Sequence, residues 1–140
     1  MRKNRIAAAA LTVATSLGII LGTGTSANAA ITEFCSGNLG GPGPAWGCFY
    51  SDGDVFKVYD AMTDGRRAEL VWTSWDGQRG VCTDANGANS TPGVCNVDLK
   101  EGANSGSNAA LVTFHVQTRD GATGPVYYVS QPVIAYVSGR

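Results

Sequence analysis

Four cysteines, Cys35, Cys48, Cys82 and Cys95, constrain this chain more than any other feature. Each pair, 35 with 48 and 82 with 95, is separated by thirteen positions and brackets a Gly-rich stretch. An even count in an exported chain reads as two disulfides, and four cysteines permit three connectivities. Pairing near neighbours, Cys35–Cys48 and Cys82–Cys95, closes two short loops, each worth about 3 kcal/mol if the bridge acts through chain entropy. That pairing is the favoured one. A zinc site would want C-x-x-C spacing and more imidazole than the single His115 provides, so no metal and no cofactor is expected.

Export itself is read from the first 29 residues. Arg2, Lys3 and Arg5 form a positive head, Ile6 to Leu21 an uncharged apolar run, and Ala27-Asn28-Ala29 a cleavage site of small residues. The run is short for a membrane span. The expectation is a signal peptide over 1–29 and a single secreted domain over 30–140, with no membrane span after cleavage. The leader holds three of the ten basic residues and none of the eleven acidic ones, which leaves seven against eleven, a net charge of −4 with histidine neutral. A chain so charged is a poor partner for nucleic acid or an anionic membrane. About 110 residues make one domain that buries roughly 65% of its unfolded surface.

Nothing beyond the leader has helical periodicity. Short runs of β-branched and aromatic residues alternate with Gly, Asn and Asp. Strands are predicted at Asp54–Asp60, Arg67–Trp75, Val94–Leu99 and Ala110–Arg119. "GPVYYVSQPVIAYV" adds one strand broken at Gln131-Pro132, or two short ones, and Pro132 confines it to an edge or a bulge. A tight turn through Asp64-Gly65 separates the first two. "CSGNLGGPGPAWGC", "CTDANGANSTPGVC" and "EGANSGSNAA" read as irregular segments, the last as a mobile loop. About seven strands with turn signals between them predict an all-β fold. It should be an antiparallel immunoglobulin/fibronectin III-like sandwich with two disulfides, and a small β-barrel is the alternative.

"VDLKEG" (Val97–Gly102) followed by "LVTFHVQTRDGATGP" (Leu111–Pro125) resembles the later half of a fibronectin type III module. There a Leu-x-Pro-Gly corner leads into an alternating strand and a Gly-x-Gly-Pro turn. "AELVWTSW" (Ala68–Trp75) looks like that module's second strand, whose tryptophan packs in the core. Glu101 replaces the usual proline, and Val112 or Phe114 replaces the corner tyrosine. Over its whole length, with Gly53-Asp54, Phe56, Val58, Asp60 and Asp64-Gly65 near the start, the chain resembles small secreted actinobacterial β-sandwich proteins of unassigned function. That resemblance implies a fold and no activity.

Side chains on a strand alternate faces. Trp72 shares a face with Ala68, Leu70 and Ser74, and Trp75 shares the other with Glu69, Val71 and Thr73. The first should be core. The second, just before the Asp76-Gly77 turn, should be exposed, either to contact a ligand or as a lid over the second disulfide loop. Trp46 and Tyr50, flanking Cys48, are the other candidate contact residues.

Catalytic chemistry finds little footing. Parity turns His115 outward with Thr113 and Gln117, and no G-x-S-x-G, H-E-x-x-H or P-loop is present. The aspartates mostly adjoin glycine, as turn residues do. "DANGAN" (Asp84–Asn89) alternates oxygen ligands as calcium loops do, but with one carboxylate and no closing glutamate it reads as a turn.

The expected function is a secreted non-catalytic binding module using Trp75, Trp46 and Tyr50. Its partner would be an extracellular polysaccharide or protein. The alternatives are a peptidase inhibitor presenting Ser90, Thr91 and Pro92 on a clamped loop, and a self-associating surface protein whose last apolar segment forms a sticky edge.

Overall fold

A computed structural model describes residues 32–37, 43–89, 91–102 and 109–137. The leader, Ser90 and most of "EGANSGSNAA" lie outside them. Among the described residues there are nine strands: β1 (Glu33–Gly37), β2 (Ala45–Tyr50), β3 (Val55–Asp60), β4 (Arg67–Ser74), β5 (Arg79–Asp84), β6 (Gly93–Asn96), β7 (Leu111–Arg119), β8 (Val126–Val129) and β9 (Val133–Tyr136). Among the described residues no helix is long and apolar enough to cross a membrane.

The strands form two antiparallel sheets, the sandwich the sequence predicts. The first has the order β1-β2-β3-β6, and the second β5-β4-β7, with β8 and β9 sharing the far edge of β7. β8 runs beside Gln117–Arg119 and β9 beside Leu111–Phe114, so the last segment is one edge strand broken at Ser130-Gln131-Pro132. Proline sits where its missing N–H costs no ladder bond.

Alternation builds the core. Phe49 from β2, Phe56 and Val58 from β3, Leu70 and Trp72 from β4, and Val112, Phe114 and Val116 from β7 all point between the sheets. Phe56 lies at the centre, stacked on Trp72 with ring centroids 5.4 Å apart and edge-on to Phe114 at 6.0 Å. Burying such side chains contributes about 1.5–3 kcal/mol each.

Three strands differ from the sequence expectation, and glycine explains why. The segments containing β1, β2 and β5 are rich in it, which reads as loop. In β2, Gly47 is a contact residue: a Cβ there would come within 2.8 Å of the Lys57 carbonyl and 2.9 Å of Leu70 Cδ1. In β5, Gly80 leaves room for the Trp72 ring, which a Cβ would meet at 2.7 Å. Both glycines mark close approach rather than a break. Conversely, the strand predicted to reach Leu99 ends at Asn96, because Asp54 takes over the pairing. Its carbonyl accepts the Val97 N–H and its carboxylate the Leu99 N–H. The tight turn predicted at Asp64-Gly65 is instead a bend within the longer connection 61–66, because that connection carries the chain from β3 in one sheet to β4 in the other.

Both disulfides have the favoured connectivity. Cys35 and Cys48 are direct cross-strand partners of the β1–β2 hairpin. Cys82 and Cys95 join β5 to β6, and so join the two sheets.

Candidate functional site

The outward face of the first sheet gathers Trp46 and Tyr50, two of the three candidate contact residues. In β2 the even positions Trp46, Cys48 and Tyr50 face out while Ala45, Gly47 and Phe49 face in; in β3 Val55, Lys57 and Tyr59 face out. The register places Trp46 beside Tyr59, Cys48 beside Lys57 and Tyr50 beside Val55. Trp46 and Tyr50 thus belong to a strand, not to the loop the glycines imply. Four positions of strand set them roughly 13 Å apart.

Trp46 and Tyr59 stack with centroids 3.8 Å apart and planes 10° from parallel. On its other side Trp46 is paired with Gly37, which offers no side chain to cover that ring face. A hollow of about 430 Å³ adjoins the stack, lined by Trp46, Tyr59, Asp60, Ala61, Ala88 and Asn89. At the opposite end Tyr50 donates its hydroxyl to Glu33 Oε1 at 2.9 Å, and Lys57 Nζ lies 4.8 Å from its ring centroid. Burial pushes the Tyr50 phenol up to about 12, with the Glu33 hydrogen bond and charge adding to it. A second hollow, of about 320 Å³, lies here between Thr32, Tyr50, Asp52, Val55 and Lys57. The Cys35–Cys48 bridge fixes the hairpin between the two ends. Glu33 and these two sulfurs lie together, but the sulfurs are bonded to one another and offer no thiolate to a metal.

Tyr59 is a further candidate for contact that the sequence did not single out. The signal was there: in "DVFKVYD" it alternates with the buried Phe56 and Val58 and so shares a face with Lys57.

Parity assigns the burial of Trp72 in β4 and of Trp75 just after it correctly. Trp72 is 7% exposed and Trp75 43%. Trp75 is nevertheless fastened, its Nε1–H donating to the Lys100 carbonyl at 3.0 Å with Lys100 Nζ 5.4 Å from the ring. It covers the segment after β6 rather than the second disulfide loop. Trp75 follows the second sheet, so the structure does not bring it together with Trp46 and Tyr50.

Of the inhibitor-loop residues, Ser90 lies outside the described set. Thr91 is exposed, its N–H held by Asn89 Oδ1 at 2.7 Å, and Pro92 is half-buried. Asp84 Oδ1 in "DANGAN" accepts the Asn86 N–H two residues on, the pattern of a turn, and its Oδ2 accepts the buried N–H of Asp60 from β3. His115 faces out from β7 as expected, half-buried beside Val71.

Compared with known proteins, the chain matches no family model, no curated protein and no solved structure.

Proposed function

We propose that this is a secreted, non-catalytic binding module that holds an extracellular polysaccharide on the aromatic face of its first sheet. The observation that carries the reading is the Trp46–Tyr59 stack. Two aromatic rings stand on the outward side of a sheet beside a hollow, Trp46 on the hairpin that a disulfide pins and Tyr59 on the neighbouring β3. Rings placed there bury nothing in the core. They offer flat apolar surface with polar neighbours, which suits the face of a sugar ring. Tyr50 and Lys57 would extend the contact along the strand. The leader sequence and the two disulfides support export.

Co-sedimentation with insoluble chitin, cellulose and peptidoglycan tests it, using the protein without residues 1–29. Wild type should pellet with at least one of them. Trp46→Ala and Tyr59→Ala should each weaken pelleting by about tenfold, the factor that 1.4 kcal/mol corresponds to. Trp75→Ala should bind as wild type. Absence of pelleting with all three polymers would sink the polysaccharide reading and turn the search to protein partners.

A second reading, self-association, has its own observation. Val126, Tyr127, Val129 and Ile134 on β8 and β9 are all exposed. The same segment also closes the core through Ala135 and Val137. A mass that rises with concentration in solution would support association through this edge.

A further inference from the structure

The outward face of the second sheet holds an arrangement that neither packing nor the aromatic face requires. Arg67 of β4 and Arg119 of β7 are direct cross-strand partners. Like charges placed opposite one another destabilise a sheet unless something compensates. Glu69, one outward position further along β4, does so. Its Oε1 lies 3.2 Å from Arg67 Nε, and its Oε2 accepts from Arg119 Nε at 3.0 Å and from Gln117 Nε2 at 2.7 Å. The carboxylate is buried and its acceptor capacity is largely used.

Two guanidiniums and one carboxylate leave one positive charge. Arg67 Nε also meets the Gly121 carbonyl and Arg119 Nη1 the Gly124 carbonyl. Among the described residues neither terminal nitrogen of Arg67, nor Nη2 of Arg119, has a protein acceptor. Both arginines border a hollow of about 750 Å³. Its floor and far wall are Val71, Val81 and Thr83, with His115 beside Val71 and Thr123 at the turn end. Val81 is 53% exposed, an apolar side chain left open beside a charged cluster.

We propose that this hollow is a binding site for a small organic carboxylate carrying an apolar or aromatic body. The anionic group docks on the spare guanidinium nitrogens, which match a carboxylate in planar, bidentate fashion. The body lies over Val71 and Val81. A single excess charge matches a monoanion, and the apolar floor favours an organic acid over an inorganic ion. The site is on the sheet opposite the Trp46–Tyr59 face and is independent of it.

The test is a titration of the protein with sodium benzoate, followed by NMR at the Val71 and Val81 methyls and the His115 ring. Sodium phosphate and sodium chloride at equal ionic strength are run beside it. Benzoate should shift these signals saturably, while phosphate and chloride at the same concentration leave them in place. Arg67→Gln should weaken benzoate at least tenfold. Because that change also frees part of Glu69, Val81→Glu serves as a second variant. It places a repelling carboxylate in the hollow without touching the Arg–Glu–Arg cluster, and it too should weaken benzoate at least tenfold while the remaining spectrum stays that of the folded protein. Unmoved signals with benzoate, equal shifts with phosphate, or full benzoate affinity in folded Val81→Glu would each overturn the assignment.

Discussion

The hydroxyl oxygens of Ser36 and Ser130 lie 2.7 Å apart although ninety-four positions separate them in the chain. Ser36 is on β1 at the edge of one sheet, and Ser130 interrupts β8 and β9 at the edge of the other. Ser130 Oγ also accepts the Val116 N–H at 2.8 Å, and Ser36 Oγ donates to the Gln131 carbonyl at 2.7 Å. This hydroxyl pair does on one side of the sandwich what Cys82–Cys95 does on the other: it ties two sheet edges that no backbone ladder joins.

Ser130→Ala therefore removes more than one hydrogen bond. The Val116 N–H, buried in the centre of β7, loses its acceptor, and the Ser36 hydroxyl loses its neighbour. A buried donor left without a partner costs about 1–3 kcal/mol. Ser36→Ala leaves the Val116 bond intact and should cost less than half as much. Urea unfolding of the two variants checks the order; equal losses would mean that the Val116 bond contributes little.

Trp72 in β4 and Trp75 just after it should separate just as clearly. Trp72→Ala empties the space above Gly80 and removes the ring stacked on Phe56, so a loss of about 3–5 kcal/mol is expected. Trp75→Ala forfeits one hydrogen bond to the Lys100 carbonyl and a half-exposed ring, about 1 kcal/mol. Thermal or urea unfolding with far-UV detection measures both. Comparable losses would show Trp75 to be as deeply engaged as Trp72.

That contrast was legible in the sequence because β4 keeps a strict two-residue period from Ala68 to Ser74, and so does β7. Parity alone then places Trp72, Phe114 and His115. The aromatic face was only half legible. Trp46 and Tyr50 stood out beside Cys48, but the glycines that let β2 approach the opposite sheet disguised the strand, and with it the pairing of Trp46 to Tyr59. Cross-strand register joins residues thirteen positions apart here, and no local pattern encodes it. The Glu69 cluster was hidden for a related reason. Parity puts Glu69 outward, which reads as solvated, and only the register sets Arg119 and Gln117 beside it to bury it.

The stability contributed by Asp54 and Asp60 should fall as the pH rises above the ordinary carboxyl range. Burial raises both Asp54 and Asp60 above 3.8, with neighbouring carboxylates adding to it and the backbone hydrogen bonds from Leu99 and Met62 opposing it. Among the described residues Asp54 Oδ1 and Asp60 Oδ2 are buried without a hydrogen-bond partner. A carboxyl raised in the folded state binds protons more tightly folded than unfolded. Its contribution is thus fully present below 3.8 and is lost as pH climbs through the folded value. Asp76, held below its ordinary value chiefly by the Ser74 hydroxyl and then by Gln78, acts in the opposite sense. The clean measurement is therefore a difference: Asp60→Asn, which keeps an acceptor for the Met62 N–H, should gain on wild type as pH rises from 4 to 7. A constant difference across that range would mean that Asp60 titrates normally.

The disulfides offer the sharpest separation of chain entropy from architecture. Both close loops of the same length, so a pure loop-closure account gives each about 3 kcal/mol. Cys35–Cys48, however, bridges residues that the β1–β2 ladder already holds opposite one another, and Cys48, although as buried as Cys82, faces away from Phe49 and lies outside the core cluster. Cys82–Cys95 joins β5 to β6 across the gap between sheets, and Cys82 is fully buried against the core. Replacing that pair with alanines removes the loop constraint, opens a cavity at the Cys82 position and unfastens one side of the sandwich. The double variant Cys82→Ala/Cys95→Ala should therefore lose more stability than Cys35→Ala/Cys48→Ala, by about 1–2 kcal/mol for the added cavity. Urea midpoints of the two variants decide the matter. Equal losses would leave loop entropy as the whole effect, and a larger loss in the β1–β2 variant would show the hairpin that carries Trp46 to be the less stable half of the molecule.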